Sequence, residues 1–160
     1  MLRWMGPCLV GAAFVALGFG AASALSARAT ALGEAARALA LLSRRVSLLY
    51  EPIADAVYAL RDESPLLALA AEGHEHEPSA AFRNAFKRTR SLREGDAAIF
   101  LETLRCAGAA SREEQPRVYA AGIDLLKTRE DAANARARSD AKLYRTLGLL
   151  AAAAVLILSV

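Results

Sequence analysis

The chain has 160 residues, a formal charge of +3 and 38 alanines. That length permits one domain, and an alanine-rich composition poor in β-branched and aromatic residues points away from sheet and toward an all-α fold. The small positive charge gives no basis for a nucleic-acid binder. The two isolated cysteines, Cys8 and Cys106, give none for a disulfide framework.

Residues 4–25 carry no charge. As a helix at about 1.5 Å per residue they reach about 33 Å, enough for a hydrocarbon core of about 30 Å. Gly6, Gly11, Gly18 and Gly20 suit a membrane helix packed closely on another. Arg3 and Trp4 anchor its first end. The alternative is an exported helical binding protein with a cleaved signal peptide, in which Ala22-Ser23-Ala24 supplies the small-residue cleavage site.

From residue 25 a 3/4 spacing of Leu25, Leu32, Leu39, Val46 and Ala35, Leu42, Leu49 predicts a helix running straight out of the membrane. This is one face of a helical bundle rather than a self-pairing coiled coil, since Arg28 falls on the seam. Pro52 opens a second helix to about Arg61, with Ile53, Ala56, Val57 and Leu60 inward. Ser64-Pro65 starts a third to about Ala71, with Ser64 as cap. Residues 73–78 form a loop. Ser79 is expected to cap a fourth helix to about Arg90, with Phe82 and Phe86 as a core pair. A fifth runs from about Glu94 to Ala107, with Gly108 as a left-handed cap.

Ser111, Glu113 and Glu114 open the last helix, whose expected core face is Val118, Gly122, Leu125 and Leu126. From Lys127 to Lys142 the only apolar residues are alanines, which predicts a solvated stalk. Residues 147–160 are again apolar and uncharged. The predicted organisation is a transmembrane helix over 1–25, a soluble helical bundle over 26–142 and a second transmembrane segment over 143–160. Lys127, Arg129, Arg136, Arg138, Lys142 and Arg145 before the last apolar run, and Arg28, Arg37, Arg44 and Arg45 after the first, place the bundle in the cytoplasm by the positive-inside rule.

Little in the sequence suggests catalysis. His74 and His76 among Glu72, Glu75 and Glu77 form the one cluster with metal-ligand chemistry. A membrane-bound metal-dependent enzyme would have to use it. A loop with no third His or Cys nearby reads instead as solvated, so no metal, no cofactor and no enzymatic activity are expected. The basic run Arg83, Lys87, Arg88, Arg90 and Arg93 is the candidate contact surface. It lacks interleaved aromatics for base stacking, which favours an acidic protein partner or anionic lipid over nucleic acid.

Gly108, Ser111 and Gln115, followed by Lys142-Leu143-Tyr144-Arg145-Thr146-Leu147-Gly148 leading into the terminal apolar run, resemble the stage III sporulation protein AB family. Tyr50, Pro52, Asp55-Ala56 and Ala81-Phe82 add to the likeness, whereas Ser111 and Arg117-Val118 depart from the family pattern. The resemblance implies a bundle of about six helices like the cytoplasmic domain of the type II secretion platform protein F. It also implies a non-catalytic subunit of the channel between mother cell and forespore, anchored in the mother-cell membrane facing the forespore. The implied partners are the complex's cytoplasmic ATPase and its other membrane subunits, with homo-oligomerisation also compatible. Arg83, Lys87, Arg88 and Arg90 are the residues expected to make such contacts.

Overall fold

The computed structural model describes residues 5–73, 77–89 and 91–158. Six α-helices follow one another: α1 Met5–Leu49, α2 Ile53–Ala59, α3 Pro65–Ala71, α4 Pro78–Arg88, α5 Glu94–Ala109 and α6 Gln115–Leu158. No strand occurs among the described residues, so the fold is all-α, as composition predicts. The chain forms two compact units. One holds residues 1–29 and 131–160, the other residues 30–130. The two long helices, α1 and α6, contribute to both.

In the unit of residues 30–130 the seam of α1 is buried through Leu32, Ala35, Leu39, Leu42 and Val46. It fails at its end, where Leu49 is 62% exposed. The helix stops there because Pro52 disfavours helical backbone at Glu51, leaving Tyr50 to make the turn. Tyr50 has φ 56°, a left-handed conformation that costs a non-glycine residue of order 1 kcal/mol. Helix α2 buries Ala56 and Val57, and Leu60 follows at its C-cap; α3 buries Leu66, Leu67 and Ala70. Ser64 holds the N-cap position of α3, but its hydroxyl donates to Glu34 Oε2 at 3.5 Å rather than capping the helix.

Helices α2 to α5 pack pairwise in chain order, α2 on α3, α3 on α4 and α4 on α5. The expected pair Phe82 and Phe86 is buried with ring centroids 6.4 Å apart, and Phe100 of α5 completes a cluster at 4.8 and 5.1 Å from them. Tilted and edge-on rings at these distances add attraction beyond their buried area.

Three local expectations are corrected. Helix α4 starts one residue before Ser79: Glu77 is the N-cap, Pro78 occupies the first turn, and the Ser79 hydroxyl donates to Glu77 Oε1. Proline fits that position because the first-turn N–H has no helical partner to lose. Gly108 lies inside α5, which ends at Ala110 in extended backbone, φ −78° and ψ 152°, with no left-handed residue. Within this unit the buried side chains of α6 are Tyr119 and Leu126, with Gly122 between them, while Leu125 is 56% exposed. Positions 119, 122 and 126 share one helical face, and 125 is turned about 100° from 126.

Tyr119 is fully buried, and its hydroxyl has no hydrogen-bond partner among the described residues. Burial pushes the phenol up to about 12 from an ordinary 10.0. Unfolding lets it ionise near pH 10. Its contribution to stability is therefore complete below that pH and is lost as pH rises toward 12. Tyr119→Phe is expected to abolish this alkaline loss and to stabilise by up to about 1 kcal/mol at pH 7, because an unpaired buried hydroxyl is removed. Thermal unfolding at pH 7 and pH 11 checks both.

The unit of residues 1–29 and 131–160 pairs the first part of α1 with the last part of α6. A Cβ at Gly18 would lie 2.8 Å from the Tyr144 carbonyl oxygen and 3.5 Å from Gly148 Cα, so the backbones meet at paired glycines. That is the close packing expected of Gly18; at Gly20 the space is open. Gly6 and Gly11 lie among residues whose side chains are not described. The alanine stretch of α6 is not wholly solvated, as expected, because Ala133 and Ala137 are buried. Alanines hide too little area to signal burial in a sequence, yet they let helices approach closely. Among the described residues one stretch, Val15–Leu49, is long and apolar enough to cross a membrane, and 18% of its most apolar window is buried within the protein.

Candidate contact surface

The candidate surface is built where α4 gives way to α5. Burying Phe82 and Phe86 against α5 turns the opposite face of α4 outward, and Arg83 and Lys87, one turn apart, are exposed on it. Between the helices the connector is only five residues, 89–93. The start of α5 is held by Asp96, a carboxylate with no side-chain exposure. Its Oδ2 accepts the Arg93 backbone N–H at 3.4 Å, and its Oδ1 accepts from Arg129 Nη1 of α6 at 3.1 Å. This pair fixes the first turn of α5 and therefore the far wall of the surface.

The result is a shallow groove of about 460 Å³. Arg83, Lys87 and Arg93 stand around it with Glu94, and Phe86, Leu92 and Leu101 provide apolar lining. Three cations against one acid make it attractive to an acidic partner, and the apolar lining gives such a partner an anchoring pocket.

Two of the four residues expected to form the surface, Arg83 and Lys87, are brought together here. Arg88 is directed elsewhere, with Nη1 2.7 Å from Glu72 Oε2. Arg90 lies outside the described residues, as do His74 and His76. No cluster of three or more His, Cys, Asp or Glu side chains able to hold a metal occurs among the described residues. The groove's apolar lining was not anticipated. Its one sequence signal is Leu92, a lone apolar residue inside a basic connector.

A second surface lies along α5 and α6, where Ile99, Thr103, Cys106, Val118 and Leu125 line an almost wholly apolar trough of about 540 Å³. At its edge Arg105 Nη2 donates to Glu102 Oε1 at 2.5 Å and the Cys106 thiol to the same oxygen at 3.4 Å. The Arg105 guanidinium, with the thiol second, holds the exposed Glu102 carboxyl at about 2. Cys106 is thus a half-buried free thiol on a helix face.

The model of the family described as stage III sporulation protein AB matches residues 3–160, nearly the whole chain. The chain belongs to the stage III sporulation protein AB family. Membership assigns it to sporulation. The residues that carry the resemblance lie around the start of α2, in α4, from the end of α5 to the start of α6, and near the end of α6. No curated protein and no solved structure matches the chain.

Proposed function

We propose that the protein is a non-catalytic scaffold subunit of the sporulation channel joining mother cell and forespore, comparable to the inner-membrane platform protein of a type II secretion system. In this reading the two apolar ends anchor it in the mother-cell membrane facing the forespore. The bundle stands in the cytoplasm and engages the complex's ATPase and its other membrane subunits. The protein acts by contact and needs no cofactor.

The observation that carries the reading is the basic α4/α5 groove. Arg83 and Lys87 are exposed, held on a helix whose other face is locked into an aromatic cluster, and flank a ready apolar pocket. A rigid cationic rim around an apolar floor is a docking feature, because the rim steers an acidic partner and the floor supplies burial. The apolar run over residues 147–160 fits a membrane anchor in which Lys142 reaches the headgroups.

Reversing both rim charges, Arg83→Glu with Lys87→Glu, is expected to lower recovery of the assembled complex from sporulating cells at least about tenfold, since like charges then face the partner. Both side chains are exposed, so the melting temperature should stay within a few degrees. Unchanged recovery at unchanged stability would remove the groove as the contact surface.

A further inference from the structure

The paired ends of α1 and α6 flank an open groove of about 880 Å³, a size that suits a small-molecule ligand. Its lining is graded. Asn134, Arg138, Lys142, Thr146 and Leu149 follow one another along one face of α6, running from amide through cations to hydrocarbon over about 22 Å. Across from them α1 contributes Ser26, Ser23 and Phe19. Among the described residues no acidic side chain lines the groove.

The hydroxyl protons are already committed. Ser23 donates to the Gly20 carbonyl at 3.1 Å, Ser26 to the Ser23 carbonyl at 2.8 Å and Thr146 to the Lys142 carbonyl at 2.8 Å. The Ser23 oxygen can still accept, and the cations and the Asn134 amide are the groups able to donate to an anion. A ligand that fits brings a phosphate for Arg138 and Lys142, a hydroxyl donor for Ser23 and an apolar chain for Phe19 and Leu149.

We propose that this groove is a binding site for one anionic glycerophospholipid, with the phosphate on Arg138 and Lys142, a glycerol hydroxyl toward Ser23, and an acyl chain leading toward Phe19 and Leu149. The site rests on the membrane reading above, because the grading places the cations at the headgroup level only if residues 5–18 and 147–158 lie in hydrocarbon. Basic pockets between membrane helices on the cytoplasmic side recognise such headgroups. The lipid would clamp the two ends of the chain together at the membrane surface.

The test uses the full-length chain purified in neutral detergent. Its melting temperature is followed while phosphatidylglycerol, phosphatidylcholine or inorganic phosphate is added, and retained lipid is counted by native mass spectrometry. The expected result is saturable stabilisation and one retained lipid with phosphatidylglycerol, and neither with phosphatidylcholine. Arg138→Gln with Lys142→Gln should weaken phosphatidylglycerol binding about 30-fold, at about fivefold per interfacial cation. Both residues are exposed, so the ligand-free melting temperature should hold. Equal binding of both lipids, or of the double variant, would overturn the site. Stabilisation by inorganic phosphate equal to that by lipid would overturn the lipid assignment in favour of a simple anion site. Flotation with phosphatidylcholine vesicles separates the two readings. A wild-type chain that fails to float sinks the membrane anchoring, whereas one that floats without lipid preference sinks only the groove.

Discussion

Replacing Arg129 by Met is expected to lower the melting temperature of the full-length protein by about 15 °C at pH 7. Asp96 is shut off from solvent and lies 3.1 Å from Arg129, whose own side chain is 48% exposed. Removing a half-exposed arginine costs little in itself. What it leaves behind is a carboxylate shut off from solvent that has lost its Arg129 partner, and breaking a buried pair this way costs about 3 kcal/mol. For a domain of about 100 residues each kcal/mol corresponds to roughly 4–8 °C.

A second substitution separates this cause from lost packing. Adding Asp96→Asn to the Arg129→Met protein should recover part of the lost stability at pH 7, because a neutral amide at this buried position leaves less charge to compensate. A loss that Asp96→Asn does not relieve would show that Arg129 acts through its aliphatic stem.

That ion pair marks the limit of what spacing reveals. Asp96 and Arg129 are 33 residues apart, and each looks like an ordinary charge on its own helix. Phe82 and Phe86 were legible because i and i+4 share a helical face, whereas their third partner, Phe100, became visible only once α4 was laid on α5. The starts of α2 and α3 followed from Pro52 and Pro65, which fit only at or near a helix start, whereas Pro78 was read as loop although it stands in the first turn of α4. Glycine misled at Gly108, where proximity to a helix end suggested a cap. The chain places its left-handed residue at Tyr50 instead, because Pro52 forces α1 to end there whatever the residue. The basic surface was half legible. Charge density singled out Arg83 and Lys87, but charge alone could not show that Arg88 is turned toward Glu72 or that Phe86, Leu92 and Leu101 line a pocket between the cations.

The second large effect is expected at Gly122, where α6 crosses α5. A Cβ there would fall within the Thr103 side chain, 2.5 Å from its Cγ2 and 2.9 Å from its Cβ. Thr103 cannot swing away. It is β-branched in mid-helix, 8% exposed, and its hydroxyl donates to the Ile99 carbonyl at 2.7 Å. Gly122→Ala therefore forces the helices apart. Overpacking of about 3 kcal/mol outweighs the roughly 1 kcal/mol that alanine gains over glycine in a helix. The expected net loss is about 2 kcal/mol, and Gly122→Val, with more bulk and no gain in propensity over alanine, should lose more. Thr103→Ala alone should cost less than 1 kcal/mol, since it removes one methyl and one local hydrogen bond at a nearly closed site. Combined, the two changes should be more stable than Gly122→Ala alone by at least about 1 kcal/mol, because only the 2.9 Å contact between β-carbons remains and a shift of a few tenths of an ångström relieves it. A double-mutant cycle measured by denaturant unfolding reads this coupling directly. Additive losses would mean that α5 and α6 do not touch at this crossing, and the wall of the apolar trough beside Leu125 would have to be redrawn with them.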